Sequence, residues 1–129
     1  MSKTIVVACD HAGFELKKHV IDAIRQAGFD VIDVGTDSNL STDFPDYAVL
    51  GAEKINNGQA EAGVFICGSG VGICIAANKI PGIYASVCHD TYSAHQGVEH
   101  DAMNVLCLGA RVIGTELAKE LVTAFLGAK

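Results

Sequence analysis

The chain has no tryptophan, two prolines and two arginines in 129 residues. With only Arg25 and Arg111 and a net charge of −6, it lacks the clustered basic side chains that a phosphate backbone demands, so a nucleic-acid surface is not expected. No apolar run approaches a membrane span. Met1-Ser2-Lys3-Thr4 passes straight into an apolar run without a cleavage pattern, which argues against a signal peptide. No CxxC pair occurs, and the cysteine count is odd: Cys9, Cys67, Cys74, Cys88 and Cys107. A disulfide framework is therefore not expected, and a reducing cytoplasm is the simplest setting. No HExxH and no Cys/His cluster at ligand spacing supports a metal site, so none is expected. There is no low-complexity stretch, charge block or linker. Hydrophobic residues at 50% and charged residues at 19% suit a single packed domain over residues 1–129.

What is present is regular alternation. Ile5 to Cys9 reads as a buried strand, and a helix follows from about Phe14 to Ala27, with Leu16, Val20, Ile24 and Ala27 on one face and Gly28 as its stop. Val31 to Val34 is a second strand, residues 36–46 a polar loop, and Tyr47 to Asn57 a helix. Val64 to Cys67 is a third strand that runs into Gly68-Ser69-Gly70-Val71-Gly72, followed by a short helix to about Lys79. Ile83 to Cys88, Thr91 to Glu99, Val105 to Leu108 and Glu116 to Leu126 complete the pattern as strand, helix, strand, helix. Continuous apolar strands imply helices on both faces. The expected fold is α/β: a five-stranded parallel, doubly wound, Rossmann-like sheet with strand order 2-1-3-4-5.

Ligands in such sheets bind beyond the carboxyl ends of the strands. Three segments fall there: Asp10-His11 after the first strand, Cys67 to Gly72 after the third, and His89-Asp90 after the fourth. The GxGxG loop is neither a dinucleotide fingerprint nor a P-loop, and alone it fits a tight β-α turn as well as a site. Glycines there let backbone amides approach an anion. Cys67 at the mouth of the turn adds chemistry, because amides at a helix start favour a thiolate that can act as general base. The same amides can stabilise an oxyanion, and Ser69 adds a hydroxyl. Among the other histidines, His19 and His95 fit solvated helix faces, whereas His100-Asp101, after a helix, can present an imidazole to a ligand.

These residues resemble the ribose-5-phosphate isomerase B family, which includes the subunits of galactose-6-phosphate isomerase. Asp10-His11-Ala12-Gly13-Phe14-Glu15-Leu16-Lys17 is similar to its D-H-x-G-F-x-L-K. Asp43-Phe44-Pro45-Asp46-Tyr47-Ala48 is similar to D-[YF]-P-x-Y-A, and Cys67 to Gly72 with Ile75-Ala76-Ala77-Asn78-Lys79 to C-G-[ST]-G-x-G…I-A-A-N-K. Asn104-Val105-Leu106 and Gly109 to Gly114 match its late strand and turn. The resemblance implies cofactor-free aldose–ketose isomerisation of a sugar phosphate through a cis-enediolate. It implies Cys67 as the base and Ser69 with the amides of Gly68, Gly70, Val71 and Gly72 as the enediolate cradle. It implies Asp10 and His100 in ring opening, Tyr47 as a substrate contact, and His11 and Arg111 towards the phosphate. It also implies a homodimer or dimer of dimers, with the site between subunits.

Two departures bear on substrate. The family's G-G-R-H-Q-x-R-V tail, with its two phosphate-gripping arginines, has no counterpart in the 129 residues. Where the family reads H-N, this chain reads His100-Asp101, which changes hydrogen bonding to the sugar. Two other readings stay open: an isomerase of a tetrose, hexose or unphosphorylated sugar, and a non-catalytic sugar- or nucleotide-binding module.

Overall fold

The computed structural model describes residues 3–129. Strands β1 (Thr4–Cys9), β2 (Asp30–Asp33), β3 (Ala62–Cys67), β4 (Ala85–Val87) and β5 (Val105–Gly109) alternate with helices α1 (Phe14–Gln26), α2 (Phe44–Asn56), α3 (Val71–Asn78), α4 (Thr91–Asp101) and α5 (Thr115–Gly127). A single 3-10 turn, His11–Gly13, joins β1 to α1. All strand pairings are parallel. One face of the sheet packs against α1, α4 and α5 around Val7, Ile24, Ile66, Leu108 and Leu121. The other packs against α2 and α3 around Val6, Phe65, Ile73 and Cys107.

Strand order is β2-β1-β3-β5-β4, not the 2-1-3-4-5 expected from the sequence. The reason lies in the last two strands. Every residue of β5 is buried, as befits a strand with neighbours on both sides. β4 has three residues and exposes its central Ser86, as an edge strand can. Chain order suggested that β4 should neighbour β3, but sequential strands are neighbours only about two-thirds of the time.

Helix limits follow local chemistry. α1 buries Leu16, Val20, Ala23 and Ile24 and stops where Gly28 takes φ +94°. α2 starts earlier than expected, at Phe44, because Pro45 sits in the first turn, where its missing N–H costs nothing. α4 runs past Glu99 to Asp101 and ends at Ala102 in a left-handed conformation, φ +57°, whose amide donates to the Gly97 carbonyl. His100 and Asp101 therefore form the last turn of a helix instead of the loop after it.

Candidate active site

Parallel pairing aligns the carboxyl ends of three central strands: Cys9 lies beside Ile66, and Cys67 beside Gly109. Cys67 is buried, and its Sγ accepts a hydrogen bond from the Gly70 amide at 3.1 Å. The glycine loop curls over this sulfur. Gly70 has φ +82°, and a Cβ there would stand 2.9 Å from the backbone of Leu108, so only glycine fits. Ser69 is exposed, and its Oγ accepts from the Val71 amide at 3.1 Å, which closes the turn into α3. The Gly72 backbone lies against the Phe44 ring, with a virtual Cβ 2.8 Å from its Cζ, which ties the loop to the segment carrying Tyr47.

The loop rests on the end of β5. A Cβ on Gly109 would stand 2.5 Å from the Ser69 carbonyl oxygen. Backbone bonds continue the seam: Ala110 N–H donates to the Cys67 carbonyl and Arg111 N–H to the Gly68 carbonyl, each at 2.9 Å. The guanidinium of Arg111 folds over the loop, 3.1 Å from where a Gly68 Cβ would be. A cation thus lies over an amide-rich turn beside a thiol, an arrangement suited to negative charge.

Asp10 and His11 join this edge through the 3-10 turn. Asp10 is buried, and its Oδ1 accepts from Ala12 N–H at 3.0 Å and Gly13 N–H at 3.2 Å. His11 is half-buried and bonds to Thr42 in the loop before α2. Tyr47, half-buried on α2, packs against the same core cluster as Cys67.

His100 and Asp101 do not join them within one chain. Tyr84 N–H donates to Asn104 Oδ1 at 2.8 Å and Asn104 N–H to the Tyr84 carbonyl at 2.9 Å, a clasp that precedes both β4 and β5. It fixes the end of α4 at the amino edge of the sheet. Cys67 stands at the carboxyl edge, five residue steps from Ala62, or roughly 16 Å away at a strand's rise per residue.

Two further residues complete this edge. His89 Nε2 accepts a hydrogen bond from Gly109 N–H at 3.0 Å, and burial holds its pKa below the usual imidazole value. In the sequence Gly109 stands just past the expected strand Val105 to Leu108, at the start of the stretch that resembles the family's late turn. Its part as the floor of the glycine loop appears only once β5 is known to lie beside β3.

A parallel α/β sheet whose carboxyl edge gathers a thiol, an amide turn, a carboxylate, an imidazole and a guanidinium is the architecture of a small-molecule enzyme. The comparisons with known proteins agree and sharpen the class. The chain is 48% identical over 127 residues to ribose-5-phosphate isomerase B of Escherichia coli, covering 98% of this chain and 85% of that protein. It is 42% identical to the D-erythrulose-4-phosphate isomerase of Pectobacterium atrosepticum, covering 98% and 84%. The solved structure of ribose-5-phosphate isomerase B from Clostridium thermocellum superimposes with a TM-score of 0.94 at 44% identity, covering 98% of this chain and 85% of that one. The Ribose/Galactose Isomerase family model matches residues 5–129, and the chain belongs to that family. It is an isomerase of the aldose–ketose class.

Proposed function

We propose that this chain interconverts ribose 5-phosphate and ribulose 5-phosphate through a cis-enediolate, with Cys67 as the base. The observation that carries the reading is the Gly70 amide aimed at Cys67 Sγ, 3.1 Å away, at a position that only glycine can fill. A proton on the carbon beside a carbonyl is weakly acidic. Its removal needs a base at the carbon and donors at the oxygen that takes the charge. Cys67 moves the proton between C2 and C1. The amide turn from Gly68 to Gly72 holds the enediolate: the Gly70 N–H serves Cys67 Sγ and the Val71 N–H serves Ser69 Oγ, so the Gly68 and Gly72 amides and the Ser69 hydroxyl face the oxygen. Asp10 serves ring opening, Tyr47 contacts the sugar, and His11 and Arg111 face the phosphate.

His100 and Asp101, stranded at the opposite sheet edge, enter the site from a second copy. Val49, Val71 and Ile75 on α2 and α3 are each at least half exposed and give that copy an apolar face to pack on. Antiparallel pairing across α3 would bring the amino edge of one subunit to the carboxyl edge of the other, which fits a homodimer or a dimer of dimers. The five free thiols are consistent with a reducing cytoplasm.

A tetrose phosphate is the second reading. A D-erythrulose-4-phosphate isomerase is nearly as similar to this chain as the ribose-5-phosphate enzyme is, and Asp101 stands where the family resemblance implies an asparagine. A panel of four-, five- and six-carbon phosphates measures preference, and exchange of the C2 hydrogen with solvent deuterium reads the proton step directly. The five-carbon substrate should give the highest kcat/KM, and Cys67→Ala should abolish exchange. Undiminished exchange in that variant removes Cys67 as the base.

A further inference from the structure

His11 and Thr42 are 31 residues apart in sequence and meet through a set of contacts that constrains the imidazole completely on one side. The backbone N–H of His11 donates to Thr42 Oγ1 at 2.9 Å. The backbone N–H of Thr42 donates to His11 Nδ1 at 3.0 Å. The carbonyl oxygen of Thr42 stands 3.2 Å from the same Nδ1, and Oγ1 stands 3.5 Å from it.

An imidazole nitrogen that accepts from an amide must present its lone pair, so in the neutral ring the proton sits on Nε2. If the ring takes up a second proton, it goes to Nδ1, where the Thr42 carbonyl can accept it. In both states Nε2 keeps its hydrogen, and Nε2 has no protein partner among the described residues. The loop that brings Thr42 is tied at its other end as well. Thr36 N–H donates to the Cys9 carbonyl at 3.0 Å, and the buried Lys17 ammonium donates to the Thr36 carbonyl at 2.7 Å and pairs with Asp33 at 3.0 Å.

We infer that Thr42 is a positioning residue that makes His11 a permanent Nε2–H donor towards the anionic part of the substrate and bars that nitrogen from taking a proton. The role of His11 as a substrate contact rests on the proposed function, whereas the tautomer does not. Thr42 acts through its side chain, which holds the His11 backbone, and through its amide and carbonyl, which face the ring.

Long-range proton–nitrogen NMR correlations of the full chain test the tautomer without turnover. The His11 ring, assigned by its loss in His11→Gln, should show a protonated Nε2 and an unprotonated Nδ1 when neutral. A protonated Nδ1 in that state overturns the inference. Thr42→Val removes only Oγ1. The Thr42 amide stays, so the tautomer should persist, while the freed His11 backbone should raise KM for the sugar phosphate about 10-fold, with kcat within about twofold and Thr42→Ser restoring KM. An unchanged KM in Thr42→Val, or a loss confined to thermal stability, overturns the positioning role. His11→Gln, whose amide nitrogen reaches towards the Nε2 position, should bind substrate better than His11→Asn, and the reverse order also overturns it. A wild-type chain that fails to isomerise five-carbon phosphates strikes the proposed function and leaves the tautomer result standing.

Discussion

Gly109→Ala places one methyl group between the glycine loop and the strand that supports it. The new Cβ would stand 2.5 Å from the Ser69 carbonyl oxygen, 2.7 Å from its carbon and 3.0 Å from its Cα, all backbone atoms that no rotamer change can move aside. β5 cannot yield, because Cys107 and Leu108 are fully buried and the strand pairs with β3 on one side and β4 on the other. The loop must therefore lift by roughly 1 Å, and a displacement of that size at a reacting centre costs about 100-fold in rate. Cys67 stays with β3 while the Gly70 amide moves off, so the 3.1 Å contact opens beyond hydrogen-bonding distance. The expected result is a fall in kcat/KM for ribose 5-phosphate of about 100-fold, equivalent to about 2.7 kcal/mol in the transition state. Overpacking should also cost about 1–3 kcal/mol of folding stability. Gly114→Ala is the control, since a Cβ there meets nothing within 4 Å. Kinetics and urea unfolding on the three proteins decide the matter. Gly109→Ala with kcat/KM within twofold of wild type refutes the claim that β5 sets the height of the loop.

Acid should weaken the fold in part through His89. Its folded pKa lies below the ordinary 6.5 because of burial, so the unfolded chain takes up this proton first as pH falls. That contribution is complete above the ordinary value and is lost as pH drops through the lower folded one. The unfolding midpoint should fall between about pH 7 and 5, and His89→Gln should flatten the fall; parallel curves would contradict this. Thiol alkylation gives an independent check. The neighbouring Cys107 thiol lowers the pKa of half-buried Cys74 to about 7, whereas burial pushes Cys9 up to about 11. Peptide mapping after iodoacetamide treatment near pH 8 should find Cys74 modified and Cys9 intact, and modification of Cys9 first would reverse the assignment.

The legible parts of the fold were those that burial writes into local composition. Ile5 to Cys9 and Val105 to Leu108 are apolar runs because both faces of each strand are covered, and the spacing of Leu16, Val20 and Ile24 marks the inward stripe of α1. The candidate site was legible where strand ends carry polar residues, at Asp10-His11 and at Cys67 with its glycine turn. Pairings between distant segments were not legible. Nothing near Thr42 announces that it will hold a histidine 31 residues away. Nor does the last turn of α4 reveal that His100 lies on the wrong edge of its own sheet, because that depends on how far the helix runs before Ala102 turns it.

Strand order and the glycine loop are two consequences of one steric fact. The loop after β3 must rest on the end of whichever strand lies beside it. In an order with β4 next to β3, that support would come from the segment around Cys88 and His89, where every residue carries a Cβ. The approach observed, 2.5 Å from the Ser69 oxygen to the place a Cβ would occupy, is open only to glycine, and Gly109 stands at the end of β5. Placing β5 in the interior therefore buries its wholly apolar run and also brings the one strand end that lacks a side chain under the loop. β4 is displaced to the edge, where His89 turns back to accept the Gly109 amide and supports the floor from its far side. The requirement of the sulfur for a close-fitting amide turn and the requirement of the core for a fully covered fifth strand select the same topology.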